Sequence, residues 1–317
     1  MEFLKVDQIY HGLAEDLLKK IEPNSIALSV WSPPYHVGKK YEAEQTYQQW
    51  FEMLETVIDE HYRILKEGGF LAININDILC FKDPDMPKFQ AETISGRRLK
   101  ITKEDVLKAK EKHPEFNRYQ LAELLGCSEQ TIDRRLNGNN IRGGKYSTQT
   151  RVKNVGGILE ELSLKAGLYL YDRRIWVKDA AWANSNWTSN SYRSVDEFEY
   201  IYIFWKPGIT TVNKAKLSSE EWAEWGNRGV WYMRSVSKND DHEAKFPLEL
   251  PRRLVRLLTE KNDVVLDCFM GSGTSAQAAI LENRHFLGIE KNLEYVALSR
   301  KKLNAIQLDM NSIDKPS

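Results

Sequence analysis

Residues 263–292 read DVVLDCFMGSGTSAQAAILENRHFLGIEKN. An apolar run at 264–266 closes on Asp267, and Gly271 and Gly273 follow. Ser272, Thr274 and Ser275 then open an Ala-rich stretch of helix-forming composition, and a second apolar run ends at Glu290. Strand, glycine turn, helix and strand in that order predict a parallel sheet with crossover helices. Glycines at such a turn let a ligand approach the backbone, and the helix N-terminus offers free N–H donors. Glu290 follows Gly271 by nineteen residues, about the distance at which an acidic side chain grips the hydroxyls of an adenosine ribose. The candidate cofactor residues here are Asp267, Cys268, Phe269, Gly271, Ser272, Gly273, Thr274 and Glu290. F-x-G-x-G departs from G-x-G-x-x-G, and this segment alone does not separate a nicotinamide dinucleotide from S-adenosylmethionine.

The rest of the chain extends the α/β reading. Residues 3–10 predict a strand, 14–21 a helix, and the apolar run at 26–31 a second strand, expected to be buried. Trp50, Met53, Leu54, Val57, Ile58, His61 and Leu65 recur at helical spacing, and KEGG at 66–69 is expected to stop that helix before a strand at 70–76. Three regions are expected. They are 1–79, a Pro-broken and Gly-rich bounded segment at 80–153, and 154–317, where a helix over 155–166 precedes two aromatic strands. The stretch between those strands, and 216–242 after them, read as irregular and Trp-rich.

At 317 residues the chain can bury a sizeable core, and 42% hydrophobic with 28% charged residues is the composition expected of a soluble globular protein. No apolar run is long enough to span a membrane, and the N-terminus lacks the pattern of a signal peptide, so the cytoplasm is the expected compartment. Three scattered cysteines suggest neither disulfides nor a zinc site, and no metal is expected. Net charge is zero, yet residues 97–153 carry fourteen Lys/Arg against seven Asp/Glu. Such an asymmetry suits either a nucleic-acid surface or a solvated helical face.

A second motif stands far from the first. Ser32-Pro33-Pro34-Tyr35 leaves the strand at 26–31 through two prolines, which fix φ and remove two donors. Together, SPPY at 32–35 and DCFMGSG at 267–273 resemble the DNA amino-methyltransferases, which methylate cytosine N4 or adenine N6 with S-adenosylmethionine. Catalytic motif first and cofactor motif last resembles their β class. The resemblance implies an α/β fold with a circularly permuted, Rossmann-like methyltransferase sheet, interrupted by a small helical, helix-turn-helix-like insertion. It covers about 1–79 and 154–305. It implies that the strand beside the one ending at Glu290 comes from the N-terminus. It places His242, Lys245, Phe246 and Pro247 near the cofactor's methionine end, within a cofactor half at 242–305, and marks Trp176 and Lys178 on a later strand. Family members put Gly-Asp after the N-terminal strand; here the chain reads His11-Gly12-Leu13, with Glu15 and Asp16 as substitutes.

By the same resemblance, Ser32, Pro33, Pro34 and Tyr35 form the catalytic motif. Ser32 Oγ and the Pro33 carbonyl hold the two amino hydrogens, and Tyr35 stacks on a base flipped out of the duplex. Ser-Pro-Pro-Tyr goes mostly with cytosine in this family and Asp-Pro-Pro-Tyr mostly with adenine, so N4-cytosine is expected and N6-adenine stays open. C5 methylation is disfavoured, because Cys80, Cys127 and Cys268 lack the Pro-Cys context of its nucleophile. A nucleotide-sensing DNA-binding regulator has no use for an amino-group clamp. The expected partner is double-stranded DNA. A companion restriction endonuclease is compatible with the resemblance, and monomer and homodimer both remain open.

Residues 118–136 resemble a helix-turn-helix, although a plain helical hairpin fits the apolar positions equally well. Ser128, Gln130, Thr131, Arg134 and Arg135 would face DNA, with Arg97, Arg98, Lys100, Arg142, Lys145 and Arg151 as phosphate contacts. The family's usual recognition region would lie at about 179–241, where WANSNWTSNSYR and EWGNRGVWYMR carry the Asn, Arg and Trp suited to base edges and stacking, with several of those Trp expected in the core.

Overall fold

The computed structural model describes residues 2–35, 46–87, 89–90, 101–137, 147–148, 150–178, 197–235 and 246–313. From the N-terminus run β1 (Gln8–His11), α1 (Ala14–Leu17), β2 (Ile26–Trp31), α2 (Tyr47–Ile64), β3 (Leu65–Ile75), β4 (Ile78–Lys82) and β5 (Phe89–Gln90). Three helices follow, α3 (Lys103–Lys112), α4 (Arg118–Leu124) and α5 (Glu129–Asn137), then β6 (Ser147–Thr148) and β7 (Thr150–Lys153). The remainder is α6 (Val155–Ala166), β8 (Tyr169–Val177), β9 (Phe198–Trp205), α7 (Ser219–Glu221), β10 (Val230–Tyr232), α8 (Glu249–Leu258), β11 (Val264–Asp267), α9 (Thr274–Leu281), β12 (His285–Glu290) and α10 (Leu293–Ile313).

Among the described residues the main sheet has eight strands in the order β1-β12-β11-β2-β3-β9-β8-β10. The N-terminal strand does close the edge beside β12, parallel to it, with Gln8 opposite Leu287 and His11 opposite Glu290. All six residues of β2 are buried, as a central parallel strand covered on both faces requires. Leu28 and Val30 join the core that holds Leu250 and Leu254 of α8, while Ser29 and Trp31 face His61 of α2. Each such apolar side chain contributes about 2 kcal/mol of transfer free energy. Thr46 and Gln49 form a capping box that starts α2, whose stripe from Trp50 to Ile64 is buried.

Four expectations are corrected. The first strand begins at Gln8 rather than residue 3, because Asp7 takes a left-handed φ of 59° immediately before it. Helix α2 ends at Ile64, and KEGG belongs to β3. Gly68 has φ 75° there, and a Cβ would lie 2.3 Å from the Ile209 carbonyl oxygen, so both its backbone and its surroundings require glycine. The sheet is not wholly parallel. β9 runs antiparallel to both β3 and β8. Finally, residues 216–242 are only partly irregular. They include α7 and β10, which extends the sheet parallel to β8. Trp225 and Trp231 are core residues, and Arg174 lies 4.9 Å from the Trp231 ring and donates to the Trp225 and Gly226 carbonyls.

Residues 81–151 form a separate compact unit. Its core is Val106, Ala109, Leu121, Ala122 and Ile132, drawn from three helices rather than a hairpin. Leu124 is half exposed, because α4 turns its Leu121 and Ala122 inward instead. Ser128 accepts from the Thr131 amide at the start of α5, and Arg118 ties α4 to α5 through Glu129 at 3.0 Å and Asp133 at 2.7 Å.

Gly68→Ala is expected to destabilise the protein by about 2 kcal/mol or more, through both strained φ and the backbone clash. Gly229→Ala, where a Cβ meets nothing within 4 Å, is expected to be near neutral. Urea denaturation of the two variants checks the contrast.

Candidate active site

Strands β2 and β11 are parallel neighbours, with Leu28 opposite Val265 and Ser29 opposite Leu266. Their carboxyl ends therefore open on the same side, and ligands of open α/β sheets bind outside those ends. Ser32-Pro33-Pro34-Tyr35 thus emerges beside Asp267–Thr274, although the chain separates the two motifs by more than half its length. Trp31, fully buried, meets the ring of Phe269 edge-on at 5.2 Å and joins the two turns directly.

The first turn is held on several sides. The Trp50 indole donates to the Pro34 carbonyl at 2.6 Å. Ser32 Oγ lies 2.8 Å from the Asn74 carbonyl and 3.0 Å from the Tyr35 hydroxyl. Tyr35 donates to Glu199 Oε2 at 2.7 Å, and Lys178 Nζ holds Glu199 Oε1 at 2.9 Å. Beneath the turn, His61 Nδ1 donates to the Val57 carbonyl at 2.6 Å, so Nε2 accepts from Ser29 Oγ at 2.8 Å and Trp31 Nε1 at 3.3 Å. Complete burial pushes the imidazole down to about 4, and the ring is neutral in this arrangement.

In the second turn Gly271 and Gly273 have φ of 52° and 84°, values that side chains rarely adopt. A Cβ on Gly273 would also approach Ser299 Cβ at 3.0 Å. The Glu290 carboxylate accepts from the Gly271 amide at 2.8 Å and the Asn292 amide at 2.7 Å, one to each oxygen, which fixes its plane at the strand end. Asp267 is buried. It accepts from Ser275 Oγ at 2.5 Å and from the Phe269 amide at 2.9 Å. Burial pushes its carboxyl up to about 7, with the Glu290 charge adding to the rise against those two hydrogen bonds. Cys268 is buried, and burial pushes its thiol well up, which suits packing rather than nucleophilic chemistry. Ser272 is buried, while Thr274 opens α9 half-exposed.

The other candidates divide. Phe246 packs against the main core and Pro247 is half-buried beside it in sequence. His242 and Lys245 lie outside the described residues, as do Arg97, Arg98, Lys100, Arg142 and Lys145 and the side chain of Gln130. In the helical unit Arg134 is exposed, whereas Arg135 Nε donates to the Ile101 carbonyl and Ser128 and Thr131 bond each other. Arg151 pairs with Asp83 at 2.5 Å and lies over Phe81. His11 Nε2 contacts the Lys291 carbonyl at 3.0 Å. Glu199, Asn74 and Trp50 are the site residues that sequence reading missed. The clue to Glu199 was a lone carboxylate within an otherwise aromatic strand. Among the described residues no group of three or more His, Cys, Asp or Glu is placed to hold a metal, and no helix is long and apolar enough to cross a membrane.

A family model described as DNA methylase matches residues 26–301. Over 309 residues the chain is 61% identical to the Type II methyltransferase M.BglI of Bacillus subtilis, covering 98% of this chain and 89% of that one. A solved structure from Thermus thermophilus, described as a putative DNA modification methylase complexed with S-adenosyl-L-methionine, has a TM-score of 0.59 at 23% identity, covering 93% of this chain and 92% of that one. PvuII DNA methyltransferase, described as cytosine-N4-specific, also gives 0.59, at 17% identity over 94% of this chain and 86% of that one. At these identities the two structures show a likeness of fold.

Asp267 takes up its proton more readily folded, at about 7, than at its ordinary value of 3.8. Its contribution to stability is therefore present below that ordinary value and lost as pH rises towards about 7. The stability deficit of Asp267→Asn against wild type is expected to be larger at pH 5 than at pH 8, as measured by urea denaturation of the ligand-free protein.

Proposed function

Because the chain belongs to the DNA methylase family, we propose that it methylates the exocyclic N4 of a cytosine flipped out of double-stranded DNA, with S-adenosylmethionine as donor. The Type II name of its 61%-identical relative supports a role as the modification arm of a restriction–modification system. One observation carries the reading, the parallel pairing of β2 with β11 that puts the SPPY turn beside the glycine turn.

The residues fit the cofactor. Glu290 is held by two backbone amides with both oxygens at a strand end, as a clamp for ribose hydroxyls must be. Gly271 and Gly273 keep the turn bare where a Cβ would be strained. S-adenosylmethionine, when bound, supplies an electrophilic methyl group.

The protein's part is to make a poor nucleophile attack. An exocyclic amino group delocalises its lone pair into the base, and it becomes reactive when both hydrogens are drawn out of the base plane. Ser32 Oγ accepts one. The Pro34 carbonyl is already taken by Trp50, so the Pro33 carbonyl is the neighbouring acceptor for the other. Fixed acceptors of this kind need no reorganisation during the reaction. The Tyr35 ring, anchored through its hydroxyl to Glu199, is the stacking wall for the flipped base. Serine at the first position of the motif favours cytosine. The basic helical unit supplies DNA contacts through the exposed side of α5, with Arg134 the leading candidate.

Digestion of duplex DNA after incubation with the protein and labelled S-adenosylmethionine is expected to yield N4-methylcytosine. Labelled N6-methyladenine would overturn the choice of base, and unlabelled DNA would overturn the reading. Arg134→Ala is expected to weaken duplex binding and lower the slope of log K against log salt by about 1, leaving cofactor affinity unchanged. Binding isotherms across a salt series check it. Arg135 is left in place because it braces Ile101.

A further inference from the structure

Tyr35 does more at this site than present a ring. Its hydroxyl lies between Ser32 Oγ, at 3.0 Å, and Glu199 Oε2, at 2.7 Å. A phenol has one proton, and the carboxylate is the stronger acceptor, so Tyr35 donates to Glu199 and offers its own oxygen to Ser32. Ser32 has one proton too, with the Tyr35 oxygen and the Asn74 carbonyl both in reach. Lys178 Nζ holds the other Glu199 oxygen at 2.9 Å, and the two side chains are only 20% and 13% exposed. Three separate parts of the chain, the β2 exit, the end of β8 and the start of β9, thus build one line of donors running from Ser32 to a half-buried carboxylate.

We infer that Glu199 receives, through Tyr35 and Ser32, the proton that the target amino group must lose; the inference rests on the methyltransferase reading above. The amino lone pair forms the new N–C bond to the methyl carbon, and the C–S bond breaks with its electron pair staying on sulfur. The nitrogen then carries one hydrogen too many and a positive charge. That proton passes to Ser32 Oγ as the serine proton moves to the Tyr35 oxygen and the tyrosine proton to Glu199 Oε2. The N–H electron pair returns to nitrogen. A neutral thioether, a neutral methylated base and a neutral carboxyl result, and the positive charge brought by the sulfonium cancels the carboxylate's negative one. A base stacked on Tyr35 covers this cluster from water, so the proton needs an internal path. Glu199 acts through two other side chains and is a positioning residue for the transfer, with Lys178 setting the orientation of its carboxylate.

Single-turnover methylation of duplex DNA separates this role from a structural one. Tyr35→Phe keeps the stacking ring but removes the oxygen that links Ser32 to Glu199, and Glu199→Gln removes the acceptor. Each is expected to slow the chemical step about a hundredfold. The double variant is expected to be no slower than the slower single one, because both break the same line. The affinity for S-adenosylmethionine, measured at equilibrium, is expected to stay at its wild-type value, and the single-turnover rates are taken at saturating duplex DNA. The rates of the variants are expected to climb with pH more steeply than that of wild type, since hydroxide replaces the lost acceptor. A Tyr35→Phe protein at wild-type rate, or penalties that multiply in the double variant, would overturn the relay while wild-type methylation left the function intact. A wild-type protein that methylates no DNA would overturn both.

Discussion

The site exists because β2 lies parallel and next to β11. Each strand ends in a turn of unusual backbone, one stiffened by two prolines and the other opened by two glycines in the left-handed region. Neither turn makes a site by itself. The pairing aligns their ends, and Trp31 against Phe269 sets their separation with two aromatic rings rather than with a flexible contact. The remaining elements serve this pairing. Helices α2 and α8 cover the two faces of β2, and β1 arrives from the N-terminus to complete the edge beyond Glu290.

A central strand buried on both faces has little tolerance for polar atoms, yet β2 carries Ser29 at its middle. The solution is a closed network. Ser29 and Trp31 both donate to His61, whose other nitrogen donates to the backbone of its own helix. Leaving any of these donors unpaired would cost about 1–3 kcal/mol. The same burial acts oppositely on the two titratable groups under the site. It keeps His61 neutral by pushing it down, and it raises Asp267 towards neutrality. His61 therefore holds its hydrogen bonds in the uncharged form that a dry interior favours, while Asp267 changes charge near neutral pH, where its two accepted hydrogen bonds oppose the effect of burial.

Much of this was legible beforehand, for local reasons. The β11–α9–β12 segment has its strand, turn and helix written in consecutive residues, and the stripe of α2 from Trp50 to Ile64 follows the helical period. The boundaries that slipped were set by long-range contacts. KEGG looks like a helix stop, but the backbone of Ile209 packs against Gly68 and the stretch is drawn into β3. Several tryptophans of the 179–241 region are expected in the core, and Trp225 and Trp231 are there, but which ones is settled by distant partners, Arg174 and Arg253, stacked on them.

What the sequence by itself determined was the pair of turns and the chemistry of their residues. A proline pair dictates its own φ, and a glycine turn followed by an acidic residue at fixed distance needs no distant partner to be recognised. Only the tertiary structure decided which side chains those turns would meet. Glu199 of β9 and Asn74 of β3 meet the Ser-Pro-Pro-Tyr turn, Lys178 just after β8 holds Glu199, and His61 of α2 holds Ser29 and Trp31 beneath it, and no local pattern encodes contacts across so many residues. They are set by sheet order and register, which depend on the packing of the whole layer, and that packing converts a stiff strand exit into a turn connected to a half-buried carboxylate.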